Sequence, residues 1–259
     1  MTIRNIANHL EEIAPLKQAE DFDNVGLLIG DYNTKVTGVL VTLDTLEETI
    51  DEAITKNCNL IVSFHPIIFS GLKKINGNSY VERVVLKAIK NNIAIYATHT
   101  ALDNSKVGVS AKMCEVLGLI NYKILIPKEE TGIGMGMIGN LPEPMQEDDF
   151  LQYSKMIFNS GGVRFSKKTG RTIQKIAVLG GSGSFAISNA IQEKADVYIS
   201  ADFKYHDFFK AEGKILLIDV GHYESEQFTK NLLVEYLTKK FTSFAVILSE
   251  KSTNPIYYL

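Results

Sequence analysis

Short apolar runs, each followed by an amphipathic stretch, recur along this chain and constrain its fold more than any other feature. VTGVLVTLD (36–44), LIVSFH (60–65) and IAIYATH (93–99) read as buried strands, and helices are predicted at Thr45–Asn57, Tyr80–Asn91 and Gly108–Leu117. Largely apolar runs of this length alternating with helices predict parallel strands buried on both faces. The pattern then returns. KIAVLG (175–180), DVYISA (196–201) and Lys214–Val220 read as strands, with helices expected at Phe185–Lys194, His206–Glu212 and Glu224–Lys240 and a last strand at Phe244–Leu248. Between the two series lies a Gly/Pro-rich stretch from Pro127 to Pro144, the expected crossover between halves. The expected fold class is α/β with an internal duplication.

At 259 residues the chain is long enough for one large domain or two lobes with a sizeable core. Its 45% hydrophobic and 22% charged residues suit a globular protein, and a formal charge of -3 carries no global signal for nucleic acid or an anionic membrane. The N-terminal MTIRNIANHLEEIAPL has helical spacing rather than a signal-peptide core, and no apolar run approaches membrane-spanning length. Two isolated cysteines, Cys58 and Cys114, read as small buried residues of a reducing compartment, so a cytoplasmic location is expected.

Four of the five histidines, His65, His99, His206 and His222, fall at or just beyond predicted strand ends; His9 lies on the N-terminal helix. In open α/β sheets ligands bind outside the carboxyl ends of the strands, so these positions are where a site belongs. A lone histidine is more often structural, but four in equivalent places point to chemistry. Acids accompany them: Asp103 follows His99 by four residues just past a strand end, and Glu226 follows His222 by four, which puts His222 and Glu226 on one helical face. Glu224 points away from Glu226 and reads as an acid favoured by a helix N-terminus. Imidazole with carboxylate suits zinc, iron or manganese, and a bridging carboxylate can hold two such ions about 3.5 to 4 Å apart, so that a shared water becomes hydroxide near neutral pH.

Six segments in order resemble the Nif-three-like family, also called GTP cyclohydrolase 1 type 2 homologues or dinuclear-metal-centre hexameric proteins. They are DNVGLLIG (23–30), SFHPIIF (63–69), THTALD (98–103), GGSG (180–183), DFKYH (202–206) and GHYESE (221–226). The resemblance covers nearly the whole chain, in the short form without an extra domain between the halves. It implies two similar, intertwined α/β/α lobes, residues 1–126 with roughly 223–259 as one and 127–222 as the other, a two-metal site between them, and a homohexamer. It also implies that His65, Asp103, His222 and Glu226 are metal ligands, with Glu226 the bridge. Many members carry two adjacent histidines before the proline, whereas Phe64 stands first here; a phenyl ring cannot coordinate, so one ion is expected to bind weakly or to recruit His99 or water.

The functional expectation is a dinuclear-metal-binding protein, a metal-dependent hydrolase with Glu226, His99 and His206 as its catalytic residues and a small-molecule, nucleotide-like substrate. The competing expectation is a non-catalytic regulatory or assembly protein that binds metal. Two local features stay open at this point. GGSGS (180–184) reads either as a phosphate-cradling nest or as a tight strand-to-helix turn, and Lys204 and Tyr205 read either as anion partners or as solvated and packed residues.

Overall fold

The structure, a computed structural model, describes residues 1–130 and 132–259, and the chain forms two compact units, each assembled from two separate stretches. Met1–Leu102 joins Thr229–Thr253 in the first; Asp103–Phe228 joins Asn254–Leu259 in the second. Interleaving of the halves is thus a property of the fold itself.

In the first unit, β1 (Gly26–Ile29), β2 (Gly38–Thr42), β3 (Leu60–Ser63), β4 (Ala94–Ala97) and β11 (Ala245–Leu248) form a sheet in the order β1-β4-β3-β2-β11. All neighbours are parallel except β1, which runs antiparallel along β4. Period-2 alternation divides the buried residues: Leu40, Ile61 and Ile95 share a cluster with Ile50 and Ala53 of α2 (Glu47–Thr55) and Val84, Val85 and Ala88 of α3 (Tyr80–Lys90). The alternate residues Val39, Val41, Leu60 and Val62 are as deeply buried, and α9 (Thr229–Lys240) packs against β2 and β11. Each such aliphatic side chain contributes about 1.5–3 kcal/mol by leaving water. His9, on α1 (Ile3–Leu10), is structural: its ring stacks on Tyr236 of α9 at 4.2 Å.

The second unit holds β5 (Ile120–Pro127), β6 (Gly134–Met145), β7 (Arg164–Phe165), β8 (Ile173–Ser182), β9 (Val197–Ala201) and β10 (Leu216–Asp219), in the order β5-β6-β8-β9-β10-β7. The β8-β9-β10 core is parallel, as the sequence pattern predicts, while β5, β6 and β7 add antiparallel pairs. Val197, Ile199, Leu216 and Ile218 face Met113 and Cys114 of α5 (Val109–Val116) and Phe150 and Leu151 of α6 (Glu147–Ile157). Tyr198 and Leu217 point the other way, toward Ile187 and Ala190 of α7 (Ile187–Gln192). Helices therefore cover both faces of this sheet.

Three expectations are corrected. The Gly/Pro-rich stretch 127–144 is not a crossover but mostly a hairpin, because β6 pairs with β5 on one side and β8 on the other; residue 131 within it lies outside the described residues. The first passage between units accordingly comes earlier than residue 127, between Leu102 and Asp103, and 103–126 belong with the second unit, as do 254–259. The long helix expected at Glu224–Lys240 is two, α8 (His222–Glu226) and α9, interrupted where Gln227 Nε2 donates to Phe158 O and the Phe228 ring meets Phe158. Periodicity carries through such an interruption because apolar residues continue at helical spacing on either side.

Gly134 opens β6 where the hairpin strands close tightly: a methyl there would lie 2.2 Å from Ile126 O and 2.8 Å from Pro127 Cα. Both obstacles are backbone and cannot swing aside. Gly134→Ala should therefore cost about 2 kcal/mol or more, lowering the melting temperature by several degrees at about 2–4 °C per kcal/mol for a chain of this size; an unchanged thermal melt would refute the close approach.

Candidate functional site

In the first unit the ladder of backbone bonds continues beyond β3 and β4. Phe64 N donates to Thr42 O, His65 N to Leu43 O at 2.9 Å, and His99 N to Phe64 O at 2.9 Å, so His65 and His99 are delivered to the carboxyl edge of the parallel strands. Their rings lie 5.3 Å apart, centre to centre. Each meets a carboxylate through Nδ1: His65 with Asp44 Oδ1 at 2.8 Å and His99 with Asp23 Oδ1 at 2.8 Å. His99 holds φ 23°, a left-handed backbone at the start of α4 (His99–Asp103), and such strain is tolerated where the surroundings over-determine the position.

Asp23 is the anchor of this half. Burial alone would raise its pKa, but hydrogen bonds from His99 and from the Thr100 hydroxyl, the neighbouring imidazole charge and the Asn24 amide together outweigh burial and hold it down at about 2. An ionised carboxylate only accepts, so Nδ1 of His99 carries a proton, and in the neutral ring Nε2 is then the lone pair. Phe64 is completely buried, its ring 4.9 Å from His65 and 5.6 Å from His99. It fills apolar space beside the histidines.

The second unit repeats the device. α8 begins at His222 behind Gly221, whose φ of 100° turns the chain sharply after β10. His222 Nδ1 meets Asp202 Oδ2 at 2.7 Å, and Nε2 lies 3.3 Å from Glu226 Oε2, one turn along the helix. Burial would lower the His222 pKa, yet hydrogen bonding and charge from Asp202 and Glu226 prevail and raise it to about 11 in the metal-free chain. Reciprocally, the His222 hydrogen bond leads the causes that lower Asp202. Asp202, like His99, has a left-handed backbone, at φ 57°.

Glu226 is buried, and glycine makes room for it: a methyl at Gly181, φ 68°, would sit 2.3 Å from Glu226 Oε1 and 3.3 Å from His222 Cε1. The Gly181 amide donates to Ser225 Oγ at 2.9 Å, and Ser225 Oγ in turn donates to His222 O. Of the GGSGS segment, Gly180 and Gly181 lie at the end of β8 against Glu226, whereas Gly183 lies against Ser200 and Tyr198.

Other expected residues are distributed as follows. Asp103 is half-buried at the end of α4, four residues after His99, as Glu226 is after His222. His206 is exposed on a 3-10 turn (Tyr205–Ala211), with the Tyr205 and Phe209 rings at 5.2 and 6.0 Å. Tyr205 is exposed rather than in the core. Glu224 stands in the first turn of α8, as expected of a helix-start acid, and is buried there, accepting from Asn254 Nδ2 at 3.0 Å. Sequence reasoning missed the three aspartates behind the histidines. Asp23 and Asp202 begin two of the quoted motifs and Asp44 ends a predicted strand, but no spacing along the chain links them to residues 99, 222 and 65.

A sequence model of Duf34/NIF3 (NGG1p interacting factor 3) matches residues 1–255. The chain belongs to this family. Relatives named GTP cyclohydrolase 1 type 2 homolog include one from Clostridium acetobutylicum, 33% identical over 87% of this chain and 85% of its own, and one from Clostridium perfringens, 32% identical over 100% of both. Among solved structures, a Staphylococcus aureus hypothetical protein superposes with TM-score 0.94 at 30% identity, covering 100% of this chain and 99% of that one. A Bacillus cereus protein related to NIF3 superposes with TM-score 0.92 at 26% identity, over the same shares. The two-lobe α/β architecture of this NIF3 chain agrees with these neighbours, and among its described residues no helix is long and apolar enough to cross a membrane. The donor set, imidazole nitrogens oriented by carboxylates and a buried glutamate, fits a transition-metal ion.

Asp23→Asn keeps the shape of the anchor but not its charge. Because the folded pKa of Asp23 lies below its ordinary 3.8, its contribution is present above about pH 4 and is lost as pH falls through about 2. The substitution should cost about 1–3 kcal/mol at neutral pH, and the difference from the parent should shrink between about pH 4 and 2 in chemical denaturation; a pH-independent difference would contradict the ionised anchor.

Proposed function

We propose that this NIF3-family chain binds two divalent metal ions, zinc, iron or manganese, through His65, Asp103, His222 and Glu226, and is a metal-dependent hydrolase. The observation that carries the proposal is the recurrence of one arrangement: His65, His99 and His222 each direct Nδ1 at an aspartate, which is how ligating imidazoles are held and their basicity raised. Bound ions would supply Lewis acidity and make water a better nucleophile near neutral pH. The chain's own residues have separate roles. Buried Glu226, seated against Gly181, would serve as the carboxylate shared by the ions; His99, locked by Asp23, presents Nε2 to take and return a proton, with exposed His206 as the second proton carrier. The relatives' name suggests GTP ring opening, with a nucleotide as substrate, and the family resemblance suggests a homohexamer in the cytoplasm.

A second reading, a metal-binding regulatory or assembly protein without turnover, is favoured by Phe64. Its ring is fully buried against His65 and His99, where a second imidazole would otherwise give one ion another nitrogen. Elemental analysis combined with turnover separates the two. The hydrolase requires about two ions per chain, loss of metal in His222→Ala and Glu226→Ala, and formate release from GTP, or hydrolysis of a generic phosphoester, above the Glu226→Ala background. Metal uptake without any turnover supports the regulatory reading, and no uptake after reloading sinks both.

A further inference from the structure

We propose that Thr253–Leu259 is a positioning strap, whose consecutive residues Thr253 and Asn254 set the orientation of His65 in one unit and of the His222–Glu226 helix in the other. The proposal deepens the metal-binding reading and depends on it for its purpose, though the contacts stand independently. In the first unit Thr253, itself buried, donates from Oγ1 to Asp44 Oδ2 at 2.6 Å, while the other oxygen of that carboxylate meets His65 Nδ1 at 2.8 Å. A carboxylate held at one oxygen can swivel about its broad terminal torsion; held at both, it fixes the plane in which the imidazole lies. Thr253 therefore acts on His65 through Asp44.

In the second unit Asn254 Nδ2 donates to Glu224 Oε1 at 3.0 Å, and Asn254 Oδ1 accepts from Ile256 N at 3.1 Å, so both ends of the amide are engaged. Glu224 is 5% exposed and lies between His222 and Glu226 on a helix of only five residues. Leaving such a carboxylate without its donor would pull the first turn toward water. The remainder of the strap is seated on glycine. Gly161 and Gly162 lie under the Tyr258 ring, where a methyl at Gly161 would come 2.2 Å from Cδ2. A methyl at Gly221 would come 2.1 Å from Glu224 Oε2 and 3.2 Å from the Tyr258 hydroxyl. Glu224, Gly221 and Tyr258 thus interlock at the N-terminus of α8.

The test uses the full chain with 15N-labelled histidine, first metal-free. His65 should show a protonated Nδ1 and an unprotonated Nε2. Thr253→Val, which keeps the shape and removes the hydroxyl, should shift His65 toward mixed tautomers while the melting temperature stays near the parent's; Thr253→Ser should restore the parent spectrum. Asn254→Ala should displace the His222 resonances instead. Titration with cobalt(II), followed by its visible absorption, should show affinity weakened about tenfold in Thr253→Val and Asn254→Ala, and near parental in Thr253→Ser. Parental imidazole spectra and parental cobalt affinity in both variants would overturn the strap. If the parent chain takes up no cobalt, the metal-binding reading fails, and the imidazole spectra alone then decide whether Thr253 and Asn254 position these side chains.

Discussion

The hydrogen bond from an imidazole Nδ1 to an aspartate oxygen, placed just beyond a strand end, is the interaction on which the candidate chemistry depends. It is made three times, by His65 with Asp44, His99 with Asp23 and His222 with Asp202. Each bond places a proton on Nδ1 and sets the direction of the ring, since the ionised acid cannot donate. The backbone accommodates these pairs at a cost: His99 and Asp202 both sit in left-handed conformations that ordinary residues avoid, and both lie at the carboxyl edge of a parallel strand core.

The two units solve the same problem with different material. Each places a five-residue helix after the third strand of its parallel core, HTALD in one and HYESE in the other, with histidine first and acid last. The supporting parts differ. In the second unit the acid is buried and seated on Gly181, and Ser225 closes onto both Gly181 N and His222 O; in the first, the histidine adjoins Phe64 and a second histidine. This is the asymmetry expected of a duplication whose copies have diverged in their roles.

The strand cores were legible because strands buried on both faces read as nearly continuous apolar runs, and the centres of 36–44, 60–65 and 196–201 do. His65, His99 and His222 were legible by position, at strand ends. What escaped was non-local or edge-like. The strand β6 carries glycines and prolines that the pairing tolerates at a hairpin, so it reads as linker. The break between α8 and α9 depends on Phe158, distant along the chain, and the aspartates behind the histidines depend on folding for their proximity. The burial of Glu224 escaped for the same reason: its partner, Asn254, lies 30 residues further along the chain.

The interleaved order of the units also has a consequence for synthesis. The first sheet cannot be finished when its first four strands leave the ribosome, because β11, which pairs in parallel with β2, and α9, which packs on β2, are made only after residues 103–228. Until then β2, the apolar GVLVT, is an open edge of the kind that invites pairing with other chains. Translation therefore imposes a waiting period, during which the second unit has its own β8-β9-β10 core available to fold while the first still lacks its border strand. The crossings between Leu102 and Asp103 and between Phe228 and Thr229 make vectorial folding of this protein an order of completion rather than an order of appearance.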